Sequence, residues 1–267
     1  MKRRRLHDFT SSCAAIAVTL VVLALVGGLL VLLEPRSSAA PVTNLAAPSP
    51  SGVVSARGEF GSGALGSWQD LARRISSEDD IRDVQMFNGV YMFGDSIGVQ
   101  DGPALENLLR SSTGDSIAFH NWSGQPTSAA VDALADWERQ YGLPSRILMA
   151  VGSNDIYDPP AFAAQVERVM HIAGPSRTVF WVNVHVSRFR QPADVRAADQ
   201  RNTDWVNQQL DEAAQRHPNL RIVHWAEYLA AQTGGVTPYL RDGVHTSVPL
   251  GQSARNQLIV SALEGAD

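Results

Sequence analysis

Five short apolar runs, each followed by a stretch of helical period, constrain this chain more than any other feature. The runs cover residues 89–93, 116–121, 146–151, 178–184 and 221–224. Each is strand-sized and rich in β-branched or aromatic residues. Residues 103–110, 128–141, 160–171 and 197–216 read as the helices between them. Leu250, Ala254, Leu258 and Ala262 mark a last helix, behind the N-cap candidates Thr246 and Ser247 and Pro249. Val131, Leu134, Trp137 and Tyr141 share one helix face, and Trp205, Val206, Leu210, Ala213 and Ala214 share another, so all are expected in the core. Strict alternation of strand and helix implies a parallel sheet covered on both faces through right-handed crossovers. The expected architecture is a three-layer α/β/α sandwich around a five-stranded parallel sheet, occupying residues 67–267.

The sequence before this domain has another character. A basic tail (residues 1–12, with Lys2-Arg3-Arg4-Arg5) precedes an uncharged apolar run over 13–33. At 1.5 Å per residue that run is long enough to cross a hydrocarbon core of about 30 Å. The basic cluster predicts a cytoplasmic tail, a transmembrane signal anchor and a domain outside the cell membrane. A cleaved signal peptide is the competing reading, but Pro41 after Ser38-Ala39-Ala40 opposes cleavage. Residues 34–66, rich in Pro, Ser, Ala and Gly, read as a flexible tether. Residues 67–76 carry Trp68, Leu71 and Ile75 at helical spacing and predict a short helix, and Glu78-Asp79-Asp80 reads as a solvated turn.

Among 267 residues the sole cysteine, Cys13, lies in the apolar run, so the exported domain must rely on its core rather than on disulfides. A formal net charge of −5 argues against a nucleic-acid partner. His120, His171, His185, His217 and His224 show no metal-ligand spacing, and no metal or other cofactor is expected.

Chemistry enters at Val90-Tyr91-Met92-Phe93-Gly94-Asp95-Ser96-Ile97-Gly98. Ser96 is expected at the carboxyl end of a strand, where open α/β sheets hold their ligands. The flanking glycines are expected to permit a tight turn and substrate approach. Far along the chain, Asp242-Gly243-Val244-His245 supplies an acid and a base three residues apart. Ser96 is a weak nucleophile until a base takes its proton; neutral His245 can do so, held by Asp242. The Gly-x-Ser-x-Gly pattern also suits the α/β-hydrolase elbow, but there several strands precede the nucleophile and the acid and histidine are well separated.

Four blocks in order resemble the SGNH (GDSL-like) hydrolase family: Gly94-Asp95-Ser96, Asn121-Trp122-Ser123-Gly124, Gly152-Ser153-Asn154-Asp155 and Asp242-Gly243-Val244-His245. The resemblance spans about residues 88–263. It implies the flavodoxin-like fold of that family, and an oxyanion hole built from the backbone N–H groups of Ser96 and Gly124 and the amide of Asn154. Asp95 and Asp155 are expected to brace the site. A narrower resemblance, through Phe180-Trp181-Val182-Asn183-Val184, Asn202 and Trp205-Val206-Asn207, is to the SGNH domains of membrane acyltransferases that acetylate bacterial surface glycans. Trp122, within the second block, and Tyr157, close behind the third, are candidates for an acyl pocket or for core packing. The segment 187–198, with Arg188 and Arg190, reads either as an acceptor site or as a solvated loop.

The expected function is thus an extracytoplasmic serine esterase acting on small acyl esters of envelope glycan or lipid through an acyl-Ser96 intermediate. The alternatives are an O-acetyltransferase and a non-catalytic envelope-binding domain. The sequence leaves the acyl chain, the acceptor and the oligomeric state open.

Overall fold

In the computed structural model, residues 57–265 are described. The basic tail, the apolar run and most of the expected tether lie outside them. Among the described residues no helix is long and apolar enough to cross a membrane.

The strands are β1 (Arg73–Ile75), β2 (Val90–Gly94), β3 (Ile117–Trp122), β4 (Arg146–Ala150), β5 (Thr178–Val182) and β6 (Leu220–Val223). The helices are α1 (Glu78–Met86), α2 (Ser96–Ser112), α3 (Thr127–Tyr141), α4 (Phe162–Ala173), α5 (Ala193–Arg216), α6 (Trp225–Ala230) and α7 (Leu250–Glu264). The sheet has six strands in the order β1-β3-β2-β4-β5-β6. Strands β2 to β6 are parallel, whereas β1 runs antiparallel to β3 with Arg73 opposite Trp122 and Ile75 opposite His120. The sheet is therefore mixed and one strand wider than the five-stranded parallel sheet expected.

Alternate side chains on the strands point to opposite faces, which gives the layers. Tyr91, Phe93, Ile147, Met149 and Trp181 pack on one side with Ile81 of α1, Leu134 of α3, Val166 of α4 and Leu210 of α5. Val90, Met92, Leu148 and Phe180 pack on the other with Leu105 of α2, Trp225 of α6 and Ile259 of α7.

Several local expectations change. Residues 67–76 form no helix, because their apolar spacing does not mark a buried face: Leu71 and Ile75 are 49% and 42% exposed. Their backbone instead pairs with the outer edge of β3, and the Arg73 and Arg74 guanidinium groups stack on the rings of Trp122 and Phe119. The acidic run is the first turn of α1, where Ser77 and Asp80 form a capping box and three carboxylates favour the helix dipole. Helix α2 begins at Ser96 rather than at Pro103, because Asp95 caps it, its side chain accepting from Ile97 N–H. Helix α5 begins at Ala193, so half of the expected 187–198 loop is helical. Trp205 lies outside the core, 41% exposed, with its ring edge-on to Phe60.

The last part of the expected tether is packed as well. Ser62 is buried, and the Asn202 amide donates to Phe60 O, Ser62 Oγ and Ile156 O at 2.9–3.0 Å. Residues 57–72 thus form a strap that crosses the domain and joins β3, with Ser123 N–H donating to Ala72 O.

Candidate active site

The order of the sheet places the site. Strand β2 lies between β3 and β4, with Gly94 opposite Asn121 and Ala150. The turns after these three neighbouring strands carry Ser96, Gly124 and Asn154 to one end of the sheet. Ser96 is the first residue of α2, so its N–H is one of the helix's open donors and lies at the positive end of the dipole. Gly124 has φ +77°, and a Cβ there would sit 2.9 Å from Trp68 Cβ of the strap. The Asn154 amide donates to Gln125 O at 3.1 Å, which fixes its orientation.

The glycines around Ser96 serve a purpose other than the one expected. A Cβ on Gly94 would lie 2.6 Å from Asn121 Oδ1, and one on Gly98 2.9 Å from Asn121 Cγ. Asn121 is fully buried and donates to Gly98 O at 2.9 Å. Both glycines make room for this side chain, which ties β3 to the start of α2.

Ser96 Oγ lies 2.8 Å from His245 Nε2, and His245 Nδ1 lies 2.8 Å from Asp242 Oδ2. An ionised carboxylate only accepts, so Nδ1 carries the ring proton and Nε2 accepts from the serine. Asp242 Oδ1 also accepts the backbone N–H groups of Val244 and His245 at 3.0 and 2.8 Å. Burial pushes the Asp242 carboxyl upward, but these donors outweigh it and hold the group below the usual carboxylate range.

Residues remote in sequence support this loop. Gly243 has φ +91° and passes so close to Ser187 O that a Cβ would lie 1.9 Å from it. Ser187 N–H donates to Gly243 O and Phe189 N–H to Asp242 O, both at 2.9 Å. On the other side Thr246 donates to Asp101 of α2, and Gln100 donates to Thr246 O and Oγ1 at 3.1 and 2.7 Å. These supports were missed in the sequence. The S-x-x-D pattern that begins α1 was readable there, but nothing local marks Asp101 or Ser187.

Two buried carboxylates lie behind the nucleophile. Burial raises the pKa of Asp95, against the Ile97 N–H bond and the charge of Arg255. Burial also raises Asp155, to about 6, although Thr127 donates its N–H and hydroxyl to Asp155 Oδ2 at 3.1 and 2.8 Å. Both brace turns at the carboxyl ends of strands, and neither is hydrogen-bonded to His245, whose ring bonds Ser96 and Asp242.

The cleft over Ser96 has a volume of about 570 Å³ and is lined by Gly124, Asn154, His245 and, unforeseen in the sequence, Leu71, Val99 and Arg241. Trp122, Tyr157 and Arg188 do not line it. The Trp122 ring packs edge-on to Trp68 at 5.1 Å. Arg188 grips both oxygens of Asp199 at 2.6 and 2.8 Å and donates to Tyr157 Oη at 3.1 Å and to Ser62 O at 2.5 Å. That cluster fastens the strap to α5. Its guanidinium is occupied, so Arg188 is a structural residue rather than a substrate contact. Among the described residues no group of His, Cys, Asp and Glu is arranged to hold a metal ion.

The parallel order β3-β2-β4-β5-β6 belongs to a fold shared with solved structures of GDSL-like lipases and acylhydrolases. The solved structures that share it include the C-terminal catalytic domain of peptidoglycan O-acetyltransferase A from Streptococcus pneumoniae, with 17% identity, a TM-score of 0.51, and coverage of 67% of this chain and 93% of that one. A lipase/acylhydrolase from Enterococcus faecalis is similar at 20% identity and a TM-score of 0.54, over 66% of this chain and 95% of its own. A GDSL-like lipase from Bacteroides thetaiotaomicron matches at 13% identity and a TM-score of 0.53, over 72% of this chain and 90% of its own. No protein-family model matches the chain, and no curated protein matches it in sequence.

Proposed function

We propose that this protein is a serine esterase that cleaves small acyl esters through an acyl-Ser96 intermediate. The observation that carries the reading is the hydrogen-bonded line Ser96–His245–Asp242, at 2.8 Å for each step, beside donors from three adjacent strand ends. His245 Nε2 takes the Ser96 proton as Oγ attacks the ester carbonyl, and Asp242 stabilises the imidazolium that forms. The N–H groups of Ser96 and Gly124 and the amide of Asn154 receive the oxyanion. His245 then returns the proton to the leaving alkoxide, and water reverses the sequence to free the acid.

Transfer to a glycan hydroxyl is the second reading, supported by the shared fold of the O-acetyltransferase domain. Hydrolysis is favoured because Arg188, the leading acceptor candidate, is committed to Asp199. A binding module would have no use for the ordered proton path. We also propose, from the sequence, that residues 13–33 anchor the domain at the outer face of the cell membrane, with an envelope ester as substrate.

A fluorophosphonate should label the wild-type protein at Ser96 and should not label Ser96→Ala. Ester turnover by Ser96→Ala should fall by roughly three orders of magnitude or more. Full turnover by that variant rules out the mechanism. With an acetyl donor and envelope oligosaccharides present, most acetyl should appear as free acetate; a majority on sugar selects the transferase instead.

A further inference from the structure

Arg241 lines the cleft beside Ser96 and His245, and the other lining side chains carry no fixed charge. In a chain of net charge −5, the one fixed charge lining the cleft is thus a cation, with Asp242 beside it outside the lining. Its backbone ties it to the histidine side of the cleft: Arg241 N–H donates to His245 O at 2.9 Å, and Leu240 bridges to Thr246. Of the apolar lining residues, Leu71 lies close against Gly124.

The guanidinium is ion-paired but not hydrogen-bonded: Nε lies 3.7 Å from Asp242 Oδ2, the side chain is 57% exposed, and among the described residues no hydrogen bond engages it, so its N–H donors are open to a ligand. Arg188, by contrast, is engaged by Asp199, Tyr157 and Ser62. A planar fork of N–H donors is suited to two oxygens of one anion. In acyl transfer the base returns its proton to the leaving oxygen, so the alcohol portion of the ester occupies the side of His245. Arg241 is therefore placed to meet the alcohol and not the acyl group.

We propose that Arg241 is a specificity-determining residue that binds a carboxylate or phosphate on the alcohol portion of the ester, making esters of acidic alcohols the preferred substrate class. This rests on the reading of Ser96 as an ester-cleaving nucleophile. An arginine that served only to tune Asp242 would alter neutral and anionic substrates alike.

Three aryl acetates with the substituent in the meta position separate these cases: 3-acetoxybenzyl alcohol, 3-acetoxybenzoate and 3-acetoxyphenyl phosphate. The wild-type protein should favour one or both anionic esters in kcat/KM by roughly fivefold or more at low salt, an advantage that shrinks as salt rises. The carboxylate and phosphate arms identify which anion fits. In Arg241→Gln the anionic-to-neutral ratio should fall to about one, and in Arg241→Lys part of it should remain. A wild-type ratio near one, or a ratio that survives in Arg241→Gln, overturns the proposal. So does an equal loss on all three esters. The phenol products test the site without turnover: Ser96→Ala should bind 3-hydroxybenzoate or 3-hydroxyphenyl phosphate more tightly than 3-hydroxybenzyl alcohol, and adding Arg241→Gln should abolish the difference. Binding of that kind with no hydrolysis by the wild type would refute the esterase reading while leaving the anion site supported.

Discussion

The hydroxyl of Thr246 lies 2.8 and 3.0 Å from the two carboxylate oxygens of Asp101, a contact between residues 145 apart in sequence. Thr246 follows His245, and Asp101 lies on the helix that begins with Ser96. One fully buried bond thus sets the base against the nucleophile. Thr246→Val should lower stability by about 1–3 kcal/mol, because Asp101 keeps its burial and loses a donor. It should also lower kcat about tenfold or more with little change in KM, since His245 is displaced and the cleft walls are not. Thr246→Ser should restore most of both, and loss of KM alone in the valine variant would contradict this role.

Asp155 makes stability depend on pH in an uncommon direction. Its pKa rises from 3.8 to about 6 on folding, chiefly through burial. Between those values the folded state holds more protons than the unfolded one, so this group's contribution falls as pH rises through the window. Above pH 6 the cost is about 3 kcal/mol. Asp155→Asn should therefore be the more stable protein at pH 8, and its advantage should shrink toward pH 4. Urea unfolding at the two pH values reads the difference; an advantage equal at both would show that charge is not its source.

Gly243 holds the acid and base in register. With φ +91° and Ser187 O where a Cβ would go, Gly243→Ala must push the Asp242–His245 turn away from β5's continuation. The backbone strain alone should cost about 1–3 kcal/mol. Turnover should drop by about a hundredfold even at temperatures where circular dichroism shows a folded protein.

Arg188 should behave as a structural residue. Asp199 is fully buried, and Arg188→Ala leaves that carboxylate without its counter-ion, which should cost about 3–5 kcal/mol. Replacing the pair together, as Arg188→Met with Asp199→Leu, should recover much of the loss. In either variant that folds, KM for acetyl esters should stay within about twofold of wild type. A KM that rises tenfold would return Arg188 to the substrate.

The four motif blocks and the alternation of strand and helix were legible because both are written in neighbouring residues. Period-two and period-3.6 patterns report burial of a local face, and Asp242 and His245 lie within one turn of each other. The parallel five-strand core and the positions of Ser96, Gly124 and Asn154 at strand ends followed from that. What the pattern could not report is how a polar or apolar side chain is spent once distant segments meet. Leu71 and Ile75 carry helical spacing, yet Leu71 lies in the strap and Ile75 on an edge strand, because β3 offered unpaired backbone groups at that edge. Arg188 and Arg241 are the same residue type in loops of similar polarity. Asp199 grips one by two hydrogen bonds, while the other lines the cleft with only a longer ion pair to Asp242. Gly94 and Gly98 admit Asn121, which comes from another strand. Residue type and local period set the elements and the chemistry on hand; hydrogen bonding and close packing between segments distant in sequence decided which groups converge on Ser96, since those energies exist only after the chain has closed upon itself.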